Sequence, residues 1–74
     1  MSVARNTEIS ATSSQSFEDA IRQGLSRATR TLRNVKGAWI KEQEVELSGD
    51  QISEYKVTMI VTFVLDDSNP GDAA

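Results

Sequence analysis

The chain has 74 residues, with 8 basic and 11 acidic side chains and a formal net charge of −3. That balance argues against non-specific nucleic-acid binding, which depends on Lys and Arg neutralising phosphates. Cysteine and histidine are both absent, which excludes disulfides, Cys/His zinc sites, the usual catalytic triads and the commonest general base.

Ser2 to Ile9 reads as a short, mostly polar strand with Val3 and Ile9 as its apolar points. SATSSQS, Ser10 to Ser16, has the composition of a loop. Ser16-Phe17-Glu18-Asp19 approximates a capping box with Asp in place of Glu, and sets two acids in a first helical turn. From there Phe17, Ala20, Ile21, Gly24, Leu25, Ala28 and Leu32 recur at three- and four-residue steps, which is one face of a helix. Arg22, Gln23, Ser26, Arg27, Arg30 and Arg33 fall on the opposite face. Asn34 is the expected end, with Arg30 and Arg33 suited to the negative pole.

Residues 36–48 and 51–66 read as two long strands joined by the turn Ser48-Gly49-Asp50-Gln51. In the last strand Tyr55, Val57, Met59, Val61, Phe63 and Leu65 alternate onto one face, against Glu54, Lys56, Thr58 and Thr62 on the other. Ile60 and Val64 interrupt that polar face, which points to a second buried contact. In the preceding strand Ala38 and Ile40 are apolar at even positions, whereas Val45 and Leu47 are apolar at odd ones. A β-bulge within Lys41 to Glu44 reconciles the two halves. Residues 1–66 therefore make one domain, and the polar tail 67–74, with Pro70 and Gly71, is expected to be disordered.

No apolar run approaches the ~20 residues of a membrane helix, and MSVARNTEIS lacks the apolar stretch of a signal peptide. A soluble, cytoplasmic protein without membrane or nucleic-acid partners is the expectation. Size adds a constraint, because chains below ~70–80 residues rarely stabilise themselves with one core and rely on disulfides, metals or assembly. A strand of about 15 residues spans ~50 Å, whereas a helix of about 17 covers only ~25 Å. One helix leaves part of the hairpin's apolar face uncovered, and such patches mark interfaces. The monomer reads as incomplete.

EISATSSQSFEDAI (Glu8 to Ile21), RATRTLRNV (Arg27 to Val35) and EYKVTMIVTFVLD (Glu54 to Asp66), in this order and spacing, resemble the dodecin family over nearly the whole chain. The resemblance implies an α+β fold of order β-α-β-β, with a three-stranded antiparallel sheet wrapped around one helix. It also implies a hollow homo-oligomer of twelve copies. Flavin-binding dodecins stack isoalloxazine rings between tryptophans of symmetry-related subunits, and a glutamine on the last strand holds the ring edge. The implied role is storage and shielding of riboflavin, FMN or FAD, without catalysis.

On this resemblance the stacking aromatic falls at Gly37 and the glutamine at Lys56, so that GAWIKEQ is similar to dodecins lacking the tryptophan–glutamine pair. The alternative is a dodecin-like assembly without flavin that holds divalent cations, coenzyme A or no ligand. Trp39, the single tryptophan, lies two residues on and on the same strand face as Gly37, from where its ring can lean over the space Gly37 leaves. Its competing role is an interface or core anchor. Lys56 is a solvated strand charge or a donor to a flavin carbonyl; unlike an amide it cannot accept from a ring N–H. Glu46 aligns with an acidic residue near the flavin pocket of some dodecins. Glu42, Glu44 and Glu46 otherwise form a solvated acidic face or a hard-cation site for Mg²⁺ or Ca²⁺ shared between copies. Arg27 and Arg33 match helix-end basic residues near the phosphates of coenzyme A in dodecins that resemble coenzyme A stores, where an arginine fork suits phosphate; solvated faces making subunit salt bridges are the plainer reading. Nothing in the chain resembles a nucleophile-base pair.

Overall fold

A computed structural model describes residues 3–65, so the tail 67–74 lies outside the described residues. The element order is β1 (Val3–Ser13), α1 (Phe17–Thr31), β2 (Val35–Ser48) and β3 (Gln51–Leu65). The sheet is antiparallel and three-stranded, with β3 in the centre between β1 and β2. This is the α+β, β-α-β-β arrangement expected from the sequence.

β1 runs four residues further than its local chemistry suggests. Ser10, Ala11, Thr12 and Ser13 pair with Thr58, Val57, Lys56 and Tyr55, so ladder pairing overrides the turn preference of a Ser/Thr-rich stretch. Ser13 then closes the corner into α1. Its hydroxyl donates to the Asp19 carboxylate at 2.6 Å and accepts from the Gln15 N–H at 2.9 Å. Ser16 caps α1, its Oγ accepting from the Asp19 N–H at 2.9 Å. The capping box is thus half formed, because the Asp19 carboxylate takes bonds from Ser13 and Gln23.

Those bonds, Ser13 first and Gln23 second, hold the Asp19 carboxyl below its ordinary value of 3.8. A depressed carboxylate stabilises the fold above its unfolded pKa and loses that contribution as pH falls through the folded one. Asp19→Asn is therefore expected to lower stability near neutral pH and to flatten the further loss below about pH 4. Thermal unfolding across that range, compared with the parent, is the check.

α1 ends at Thr31, three residues before the expected Asn34. Leu32 adopts an extended conformation while its N–H still reaches the Ala28 carbonyl at 2.8 Å. Asn34 takes a positive φ of 61°, a conformation that asparagine tolerates, and its carbonyl accepts from the Val64 N–H at 3.0 Å. Arg33 consequently sits in the turn after the helix, and only Arg30 occupies its last turn. At the hairpin, Gly49 supplies the left-handed residue with φ 68°.

The core is small. Ala20 and Ala28 of α1 meet Val57, Met59 and Val61 of β3, all five buried, with Ile9, Ala11, Phe17, Ile21 and Leu25 packed around them. Phe17 and Tyr55 close one end in an edge-to-face contact with centroids 5.1 Å apart. α1 packs on β1 and β3 and barely touches β2. No residue of β2 is fully buried, and Ile40, Val45 and Leu47 are among the exposed large apolar side chains. The fold extends 56 Å along its long axis, about two and a half times the ~22 Å of a helix of this length. The uncovered apolar face expected from strand and helix lengths is present.

The bulge expected in Lys41 to Glu44 appears as a register shift between Ile40 and Glu42. Two more shifts, between Val35 and Gly37 and between Glu46 and Leu47, have no counterpart in the sequence reading.

Candidate functional site

Val57, Met59 and Val61 turn toward α1, so the intervening residues of β3 face the other way. Directly paired residues of adjacent strands share a face. The sheet face away from the helix is therefore built in rows: Asn6–Thr62–Gly37, Glu8–Ile60–Trp39, Ser10–Thr58–Glu42 and Thr12–Lys56–Glu44, followed by the pair Glu54–Glu46. Every β2 and β3 residue nominated from the sequence stands on this face. The bulge at Lys41 makes this possible, by turning Glu42, Glu44 and Glu46 onto the side that Gly37 and Trp39 occupy.

Trp39 is 52% exposed, so it is not an anchor in the core of its own chain. Gly37, two positions away on the same face, would place an added Cβ in open space, with no atom within 4 Å. The indole thus stands beside an unfilled gap, with Ile60 next to it in the row.

Lys56 Nζ forms an ion pair with the Glu44 carboxylate at 3.5 Å, with both side chains partly exposed. Such a pair contributes little to stability. Lys56 is four residues from Ile60 along β3, about 13 Å at strand spacing. A ring that touches both Trp39 and Lys56 must either extend along the strip or bridge two copies. Glu46 is paired with Glu54, an unfavourable juxtaposition of like charges. Glu42 faces Thr58 and Glu44 is engaged by Lys56. Among the described residues no three His, Cys, Asp or Glu side chains converge as a metal site, so a cation held here would need ligands from another copy.

Arg27 and Arg33 line separate depressions. Arg27 borders a groove of about 520 Å³ between α1 and β1, together with Thr7, Ser10, Gln23 and Thr31. Arg33 borders a second groove with Asn34, Phe63 and Val64. Among the described residues neither has a carboxylate partner, whereas Arg22 pairs with Glu18 at 3.2 Å.

One feature beside Trp39 escaped the sequence reading. Lys41 Nζ donates to Glu8 Oε1 at 3.1 Å, spanning from β2 to β1 across the central strand. The residues are 33 apart in the chain, and no local periodicity connects them.

A helix cradled by a bulged three-stranded sheet, with an exposed aromatic on the far face and an incomplete core, defines a small ligand-binding protein of the kind that assembles from copies of itself. Comparison with known proteins gives the family: the dodecin family profile matches residues 3–66, and the chain belongs to the dodecins, which form homo-oligomers. Among solved structures, the dodecin from Streptomyces davaonensis is 38% identical with a TM-score of 0.83, covering 88% of this chain and 96% of that one. A mutant of Thermus thermophilus dodecin is 32% identical with a TM-score of 0.84, covering 89% and 97%. Dodecin from Streptomyces coelicolor is 25% identical with a TM-score of 0.83, covering 88% and 93%. A search of curated proteins gives no significant match. Among the described residues no helix is long and apolar enough to cross a membrane.

Proposed function

We propose that this protein is a non-catalytic, cytoplasmic flavin-binding dodecin, which assembles as twelve copies and stores or shields riboflavin, FMN or FAD. The observation that carries the reading is the half-exposed Trp39 beside the open space at Gly37. A flat ring can enter that gap and lie against the indole, gaining stacking and apolar contact. Stacked flavin is removed from water and from collisions, and its excited state is quenched by the neighbouring indole. The uncovered apolar face of β2 is hidden by neighbouring copies, so that the assembly completes each core.

The test is direct. Titrating the purified protein into riboflavin is expected to quench flavin fluorescence at micromolar concentration, and freshly isolated protein is expected to show flavin absorption bands. Absence of both would refute the reading.

A second reading has its own observation in Arg27, which borders the α1–β1 groove with no carboxylate partner among the described residues. An arginine fork so placed suits the phosphates of coenzyme A, with Arg33 contributing from a neighbouring copy. A divalent cation shared by Glu42 or Glu46 of several copies is the third ligand class.

A further inference from the structure

Glu8 and Lys41 form an ion pair in and beside the row of the indole, apart from the ligand contacts proposed above. Glu8 pairs with Ile60 and Ile60 with Trp39, so the three stand in one row, neighbours ~4.8 Å apart. Lys41 sits in the bulge between Ile40 and Glu42. Its stem crosses β3 to bring Nζ within 3.1 Å of Glu8, and the two side chains are 50% and 51% exposed. An ion pair this exposed contributes little to holding strands together. It does set a cation and a carboxylate side by side in the row of an exposed indole, with Ile60 between Glu8 and Trp39.

We propose that Lys41 and Glu8 read the edge of a planar heterocycle stacked on Trp39, selecting rings in which a carbonyl adjoins an N–H. The inference rests on Trp39 being the ring platform. Lys41 carries three N–H donors and uses one on Glu8, while a carboxylate only accepts and has lone pairs to spare. The pair can therefore stay intact, with Lys41 donating to the ring carbonyl and Glu8 accepting from the ring N–H. Both bonds are charge-assisted. Neither residue suffices alone, since an ammonium cannot accept and an ionised carboxylate cannot donate. The imide edge of isoalloxazine has this complementary pattern, and methylation of its nitrogen destroys it. Lys56 and Glu44 form a chemically similar pair, but they lie two rows away from the indole.

The deciding experiment compares riboflavin with 3-methylriboflavin by fluorescence quenching, on the wild-type assembly and on Glu8→Leu and Lys41→Met. Wild type is expected to prefer riboflavin by about tenfold or more, the effect of losing a hydrogen bond to a charged group. Glu8→Leu should bind both ligands equally, and Lys41→Met should weaken both. If wild type binds the two flavins alike, or Glu8→Leu keeps the preference, edge reading is wrong while the stacking platform stands. If wild type binds neither, the platform itself is wrong and this inference goes with it. Should Glu8→Leu fail to fold, the comparison of the two flavins on wild-type protein decides alone.

Discussion

Trp39→Ala is expected to abolish flavin quenching while the oligomer elutes unchanged in size-exclusion chromatography. The indole is half exposed, and its row-mate Ile60 faces away from the helix, so truncation removes nothing from the protomer's core. In the proposed site, stacking on the indole would supply most of a flat ring's contact with this face, because the other neighbours are a glycine, an aliphatic side chain and an ion pair. The opposite result is equally clear. If Trp39 is buried between copies, the substitution should lower assembly stability by about 3–5 kcal/mol, as buried Trp→Ala changes do. A shift to smaller species on the column would then assign the indole to the interface and remove it from the ligand site.

The second large effect lies where α1 meets the sheet. Met59 is fully buried beneath Gly24, and a Cβ added at Gly24 would stand 2.5 Å from Met59 Cε and 3.1 Å from Ala11 Cβ. Met59→Ala should cost about 2–5 kcal/mol, since Met59 is the largest of the fully buried side chains and its truncation leaves a cavity. Gly24→Ala sets two effects against each other: helix propensity favours alanine by about 1 kcal/mol, and overpacking costs about 1–3 kcal/mol. The Met59 methyl is the end of a flexible side chain and can give way, but Ala11 Cβ is held by β1. The net change is expected to be destabilising. In a Met59→Ala background the worse clash is gone, so Gly24→Ala should become neutral or stabilising. A double-mutant cycle in thermal unfolding measures this coupling, and additive changes would rule out the proposed close packing.

The parts of this fold that could be read in advance are those with a strong period. The small-residue stripe of Ala20, Gly24 and Ala28 became the buried face of α1, and the Val57, Met59, Val61 alternation became the core side of β3. The phase change between Ile40 and Val45 located one bulge. The end of β1 was hidden because Ser10, Thr12 and Ser13 are as suited to a turn as to a strand, and only their partners on β3 decide. The bulges at Lys36 of β2 and at Ser53 of β3 left no mark, since the residues around them carry no clear alternation. Trp39 and Gly37 were placed on one face correctly. Glu8 and Lys41 were invisible as a pair, because a contact across three strands is set by register and not by spacing.

Two of the three register shifts place their extra residue in β2, at Lys36 and Lys41, and this bears on how copies can meet. β1 and β2 are the free margins of the sheet, and an unbroken margin invites another chain to add a strand, then another, toward a fibre. Bulging β2 at two points, with glutamates beyond the second, shortens the run of matched hydrogen bonds that this margin offers an incoming strand, whereas β1 pairs without a bulge. Sticky side chains on β2 can then draw molecules together along that margin without runaway strand addition.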